Sequence, residues 1–302
     1  MMKLAFIQAF RGVAASLVAI DHALCEITGN NPHLILTHIA WSLGSFGVYL
    51  FFVISGFIMA QISWDEFGTD GASKNFIVRR LIRIVPIYWL TTIVALICHQ
   101  ISPNFGMSYG LKELIYSFLF IPNQNPNGVW APILAQGWTL SYEMMFYSIF
   151  AVSLLFRRTL GLILVSGLLA LMVAFGSSSQ PNGIIPYLCS PIVLWFLLGI
   201  ALAVIWKLMN LKEPRWLAVM SEPLNSLGNA SYSIYLAQGF LISATFRVWE
   251  RVIGSPSPWF VPLSVALCLI GGSIIHMTVE RPILRISNEL LRSKRMPIAL
   301  AR

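Results

Sequence analysis

Apolar residues do not alternate with polar ones along this chain; they gather in long blocks separated by short polar joints. Runs of a length to cross a bilayer as helices, roughly 17–25 residues each, fall near 5–27, 38–62, 82–101, 138–156, 159–176, 187–206, 229–247 and 259–279. Two shorter runs, 111–121 and 216–228, fit short tilted spans, re-entrant pieces or interfacial helices. The pattern predicts an all-α, polytopic helical bundle with eight long spans, ten if both short runs cross. No internal repeat at a fixed period and no inverted-repeat pattern is visible, which disfavours a secondary transporter.

Composition agrees with this picture. Of 302 residues, 57% are hydrophobic and 11% charged, against about 25% charged in a typical soluble domain. Mean hydropathy is +0.75. A cytosolic enzyme, a secreted disulfide scaffold and a disordered chain are all excluded. The first run carries Arg11, Asp21 and His22, too polar for a signal-peptide core, so no cleavable leader is expected. Cys25, Cys98, Cys189 and Cys268 lie far apart without metal-ligand spacing and read as small buried side chains.

The formal charge of +8 is explained by topology and does not call for nucleic acid. With the N-terminus inside and eight spans, the cytoplasmic loops receive Lys3, Lys74, Arg79, Arg80, Arg83, Arg157, Arg158, Lys207, Lys212 and Arg215, together with the basic C-terminal set. Only Lys112, Arg247 and Arg251 fall outside. This asymmetry places both termini in the cytoplasm. A membrane domain over 1–285 and a short basic cytoplasmic tail over 286–302 follow.

Ionisable residues within spans are costly and are functional candidates by default. Arg11 and His22 are eleven residues apart, so they share one helix face about 16 Å apart along the axis. Glu143 follows the start of the fourth long span by about 8 Å, which puts it at the depth of His22. A facing His–Glu pair is a general base with an orienting carboxylate; a structural ion pair or a proton relay fits that depth equally well. Arg80 and Arg83, at i and i+3, share a face and with Arg11 suit a phosphate or pyrophosphate, although interfacial anchoring accounts for a single arginine. Asp21 is 100° round from His22 and faces either the site or a water-filled vestibule. Ser55-Gly56 lines a pocket or lets two helices approach closely.

These pieces, in order, resemble the membrane-bound acyltransferase family 3. The matching features are Arg11, ten residues, then His22; the stretch Phe51-Phe-Val-Ile-Ser-Gly-Phe57; Arg80 and Arg83 leading into Pro86-Ile-Tyr-Trp89; Gly137-Trp-Thr-Leu-Ser-Tyr-Glu143; Ser231-Tyr-Ser-Ile-Tyr-Leu236; and Glu280-Arg-Pro282. The short chain is most similar to the exopolysaccharide O-acetyltransferases. The chain departs from the family at Tyr49, where an Asp often stands, and at Gln238, where a His often stands. No extra hydrolase-like domain is visible, so the chain is expected to act alone or to pass its acyl group to a polysaccharide-assembly partner.

The resemblance implies a cytoplasmic acyl-CoA donor, most often acetyl-CoA, no metal, and a saccharide hydroxyl as acceptor at the outer face of the bacterial inner membrane. It also implies His22 and Glu143 as the catalytic pair, with His22 acting either as base or as an acyl-carrying nucleophile. Arg11, Arg80 and Arg83 then hold the coenzyme, and Asp21, Thr139 and Tyr142 are candidates for substrate contact. A multi-pass transporter of a saccharide precursor or acyl group accounts for the spans and buried charges, but not for the ordered motifs.

Overall fold

The computed structural model describes residues 5–101, 109–125, 128–177, 183–213, 215–254 and 257–295. Among them there are helices and no strands, with a single bridge between Gln124 and Trp130. Helices are what a chain of such apolar blocks must form, because only they satisfy every backbone N–H and C=O internally when no water is at hand. In chain order they are α1 (Ala5–Thr28), α2 (Ile35–Ile62), α3 (Ala72–Ile101), α4 (Leu111–Phe118), α5 (Trp138–Ser153), α6 (Arg158–Ser177), α7 (Ile184–Leu188), α8 (Leu194–Leu208), α9 (Arg215–Val252), α10 (Phe260–Ile275) and α11 (Arg281–Arg295).

All eight long apolar runs fall in helices over most of their length, the 187–206 run being interrupted at Cys189 and Ser190. Among the described residues, five helical stretches are long and apolar enough to cross a membrane: Ile35–Ile62, Ala72–Cys98, Arg158–Ser177, Ile184–Leu208 and Phe260–Ser287. Neither short run forms a helix of spanning length on its own. Helix α4 has 8 residues, about 12 Å, against a hydrocarbon thickness of about 30 Å. Residues 216–228 are continuous with 229–247 inside the 38-residue α9, so they lengthen one helix and do not make another. The helical chain also runs on past residue 285: α10 passes through a single π-turn, His276–Glu280, into α11.

Helix α1 lies at the centre, packed most extensively on α9 and α2, while α2 also packs on α8 and α9 on α10. Backbones touch where side chains vanish. A Cβ on Gly199 of α8 would stand 2.1 Å from the carbonyl oxygen of Val53 in α2, and one on Gly228 of α9 would stand 1.9 Å from that of Gln8 in α1. Elsewhere aromatic rings set the spacing. Phe146 of α5 stacks on Phe196 of α8 at 4.4 Å between centroids, and Phe196 stacks on Phe52 of α2 at 4.5 Å.

At one end the loop after α2 collects residues that lie far apart in the sequence. The Trp64 ring receives the Arg158 guanidinium at 4.6 Å and the Lys207 ammonium at 5.7 Å. Glu66 pairs with Arg79 at 2.7 Å, and Asp65 faces Arg158 at 3.8 Å. The first turn of α1, whose N–H groups lack helical partners, is capped by Glu213, which accepts from the amides of Ala5 (3.1 Å) and Phe6 (2.8 Å).

Candidate active site

Two cavities are stacked along α1. The first, at the level of Arg11, is lined by Arg11, Arg80, Arg83, Glu143, Ser55 and Tyr147, with Thr139, Ser231, Tyr232 and Tyr235 among the rest, and holds about 90 Å³. The arginines Arg11, Arg80 and Arg83 thus come together from α1 and α3. Helical spacing explains why: Arg80 and Arg83 sit on adjacent turns of one face, turned toward the mid-length of α1. Arg11 and Arg80 are both buried, at 9% and 8% exposure. Arg11 reaches Gln8 at 3.4 Å, and the charges of Arg83, Glu280 and Glu143 act on it. The Nε of Arg80 has no hydrogen-bond partner among the described residues. A buried guanidinium left short of acceptors is costly, and an anionic ligand would supply what is missing.

Glu143 belongs to this basic cavity and not to His22. Its Oε1 accepts from Ser55 (3.3 Å) and from the Tyr147 hydroxyl one turn along α5. The sequence reading placed it at the depth of His22 because it took the start of α5 as the membrane surface. The chain is already inside the bundle there: the turn Ala135–Gly137 is packed, with Gln136 buried, and Ala135 and Gln136 line the cavity that contains His22. Glu143, seven residues on, is about 10 Å deeper.

The second cavity, about 290 Å³, is lined by His22, Asp21, Trp41, Tyr49, Gln136 and Trp138 among others. A third space of about 350 Å³ shares Asp21, His22 and Trp41 with it and adds Cys25, Glu26 and Asn30. The carboxylate beside His22 is its chain neighbour: Asp21 Oδ2 stands 3.5 Å from His22 Nδ1. Asp21 also accepts from Cys25 Sγ at 3.4 Å. Nδ1 lies 2.9 Å from the Val18 carbonyl. A carbonyl only accepts, so Nδ1 carries the hydrogen and Nε2 keeps its lone pair. With 37% of its side chain exposed, the imidazole is accessible from the cavity. The 100° offset along the helix concealed the Asp21 contact, since adjacent residues do not share a face although their side-chain tips can still approach.

Val48 and Tyr235 line both the basic cavity and the histidine cavity. Thr139 lines the basic cavity, with its Oγ1 2.9 Å from the Tyr235 hydroxyl. Tyr142 lines none of the three spaces; its hydroxyl donates to the Tyr187 carbonyl and its ring packs on Phe52, Trp138 and Tyr187. Its contacts in this structure are those of a packing residue. Tyr49, one of the departures, faces the histidine cavity and stacks on Trp195 at 4.9 Å. Gln238, the other, is fully buried, and neither amide atom has a partner among the described residues.

Sequence reasoning missed Tyr147, although its i+4 position from Glu143 was a usable signal. The Glu280-Arg-Pro282 motif marked Glu280 but not its partners: it sits in the π-turn, accepts from Ser233 at 2.6 Å and meets His276 Nδ1 at 2.8 Å.

The family model for the acyltransferase domain matches residues 4–188, which include the basic cluster, His22 and Glu143. The chain belongs to the acyltransferase family. It is also 31% identical over 297 residues to the exopolysaccharide production protein ExoZ of Rhizobium meliloti (strain 1021), an alignment that covers 81% of this chain and 91% of the relative. No solved structure matches the chain. Family membership makes the protein a membrane acyltransferase.

Proposed function

We propose that the protein moves an acetyl group from cytoplasmic acetyl-CoA to a saccharide hydroxyl presented at the outer face of the bacterial inner membrane. The observation that carries this reading is the shared wall of the two cavities at Val48 and Tyr235, with three arginines on one side and the His22–Asp21 pair on the other. The name of the ExoZ relative supports a saccharide acceptor. Orientation is supported by the gathering of Arg79, Arg158 and Lys207 at one end. On the positive-inside rule that end is cytoplasmic, as are both termini.

In this mechanism Arg11, Arg80 and Arg83 hold the coenzyme's phosphates, which arginine grips in bidentate fashion. Glu143, held by Ser55 and Tyr147, offsets part of the repulsion among the cations. The pantetheine arm carries the thioester toward His22. Nε2 of His22 removes the proton of the acceptor hydroxyl, the oxygen attacks the thioester carbon, and the C–S bond breaks. The imidazolium, stabilised by Asp21, returns the proton to the departing thiolate.

The test is label transfer from radioactive acetyl-CoA into saccharide in inverted membrane vesicles carrying the protein. Label in saccharide with matching release of free CoA is expected. CoA binding without either product would refute the assigned reaction, and absence of binding would refute the donor as well.

A further inference from the structure

The two residues that line both cavities fix where the chemistry must occur. A thioester delivered from the arginine side meets a hydroxyl activated by His22 only where those spaces adjoin, at Val48 and Tyr235. Val48 offers no polar atom there. Tyr235 does: its hydroxyl is 3.1 Å from the Gln136 carbonyl and 2.9 Å from Thr139 Oγ1. Thr139 Oγ1 is in turn 3.2 Å from the same carbonyl. Gln136 lines the histidine cavity and Thr139 the basic one, so this trio spans the boundary.

The trio has a built-in spare. One carbonyl is offered two hydroxyl donors, and it needs only one of them to avoid being buried unpaired. When Thr139 supplies that bond, the Tyr235 hydrogen is released to another acceptor and no group is orphaned. The ring of Tyr235 is 7% exposed and packs edge-on against Phe51 at 5.8 Å, which keeps the hydroxyl at the boundary. A donor held in place before the reaction suits an oxygen that gains negative charge as a tetrahedral centre forms.

We infer that Tyr235 is a further catalytic residue: its hydroxyl donates to the thioester carbonyl oxygen as the acceptor adds, while Thr139 takes over the Gln136 carbonyl. This rests on the acyl-transfer reading above. The residue lies in the Ser231–Leu236 motif, for which the arginine and histidine groups leave no role. No proton changes owner in this contact; the hydrogen bond strengthens as charge appears on the oxygen and relaxes when the C–S bond breaks.

The experiment compares acetyl-CoA with dithioacetyl-CoA, whose sulfur is a poor hydrogen-bond acceptor in place of the carbonyl oxygen, in the wild type and Tyr235→Phe. Tyr235→Phe is expected to lower kcat about 10²- to 10³-fold, the usual cost of one such donor, with the KM for acetyl-CoA unchanged. It should also lose most of the wild type's preference for oxygen over sulfur. A Tyr235→Phe enzyme that keeps kcat, or that slows yet discriminates oxygen from sulfur as the wild type does, overturns the assignment. If Tyr235→Phe does not fold, the wild type alone decides: no preference for oxygen beyond that of the uncatalysed thiol esters overturns it too. A wild type that transfers from neither donor fails the acyl-transfer reading itself, a different outcome from loss confined to Tyr235→Phe.

Discussion

His22→Ala is expected to abolish acyl transfer, by about 10²- to 10⁴-fold for loss of a positioned base, while acetyl-CoA binding is retained. The imidazole stands in a cavity separate from the arginine set, with its Nε2 lone pair free because the Val18 carbonyl holds the Nδ1 hydrogen. Its removal therefore strips the base and leaves the donor site intact. Label transfer in membranes with matched protein levels, alongside a CoA-binding measurement, reads the two effects separately. Transfer at the wild-type rate would end the case for His22. Asp21→Asn should fall between the two enzymes, because the 3.5 Å contact stabilises the imidazolium without taking part in the bond changes. Glu143→Gln, by contrast, should act on the donor side, since its neighbours are Ser55, Tyr147 and the arginine cluster.

Reversing Arg83 to Glu is expected to raise the KM for acetyl-CoA by about 10- to 100-fold with little change in acceptor KM. A hydrogen bond to a charged group contributes about 1.5–3 kcal/mol, and each 1.4 kcal/mol is a factor of about ten. Arg80→Gln should do the same, because its Nε is buried with no partner of its own and a bound anion has that bond to offer. Detergent-solubilised protein with an unchanged thermal midpoint and an unchanged donor KM would remove the arginines from the phosphate site.

How much of this was legible in the sequence depends on whether a feature is local to one helix. The long apolar blocks announced the helices, and i, i+3 spacing announced that Arg80 and Arg83 face one space. The level of Glu143 was not legible, because it depends on how deep the chain lies when α5 begins, and that is set by the packing of Ala135–Gly137. The same holds for the junction at Val48 and Tyr235, which arises from three helices meeting. Residues 216–228 read as a separate run because polar residues follow them, yet the helix carries straight on through Asn229.

The helices of this bundle are not evenly spaced. Gly199 and Gly228 draw α8 onto α2 and α9 onto α1 until main chain meets main chain, whereas Phe146 and Phe196 prop α5 away by the thickness of two rings. Room therefore opens on the propped side, where α3 and α5 bring their arginines and glutamate to α1. None of these four residues is among those that line the cavity at Arg11, and two of them have no side chain beyond a hydrogen.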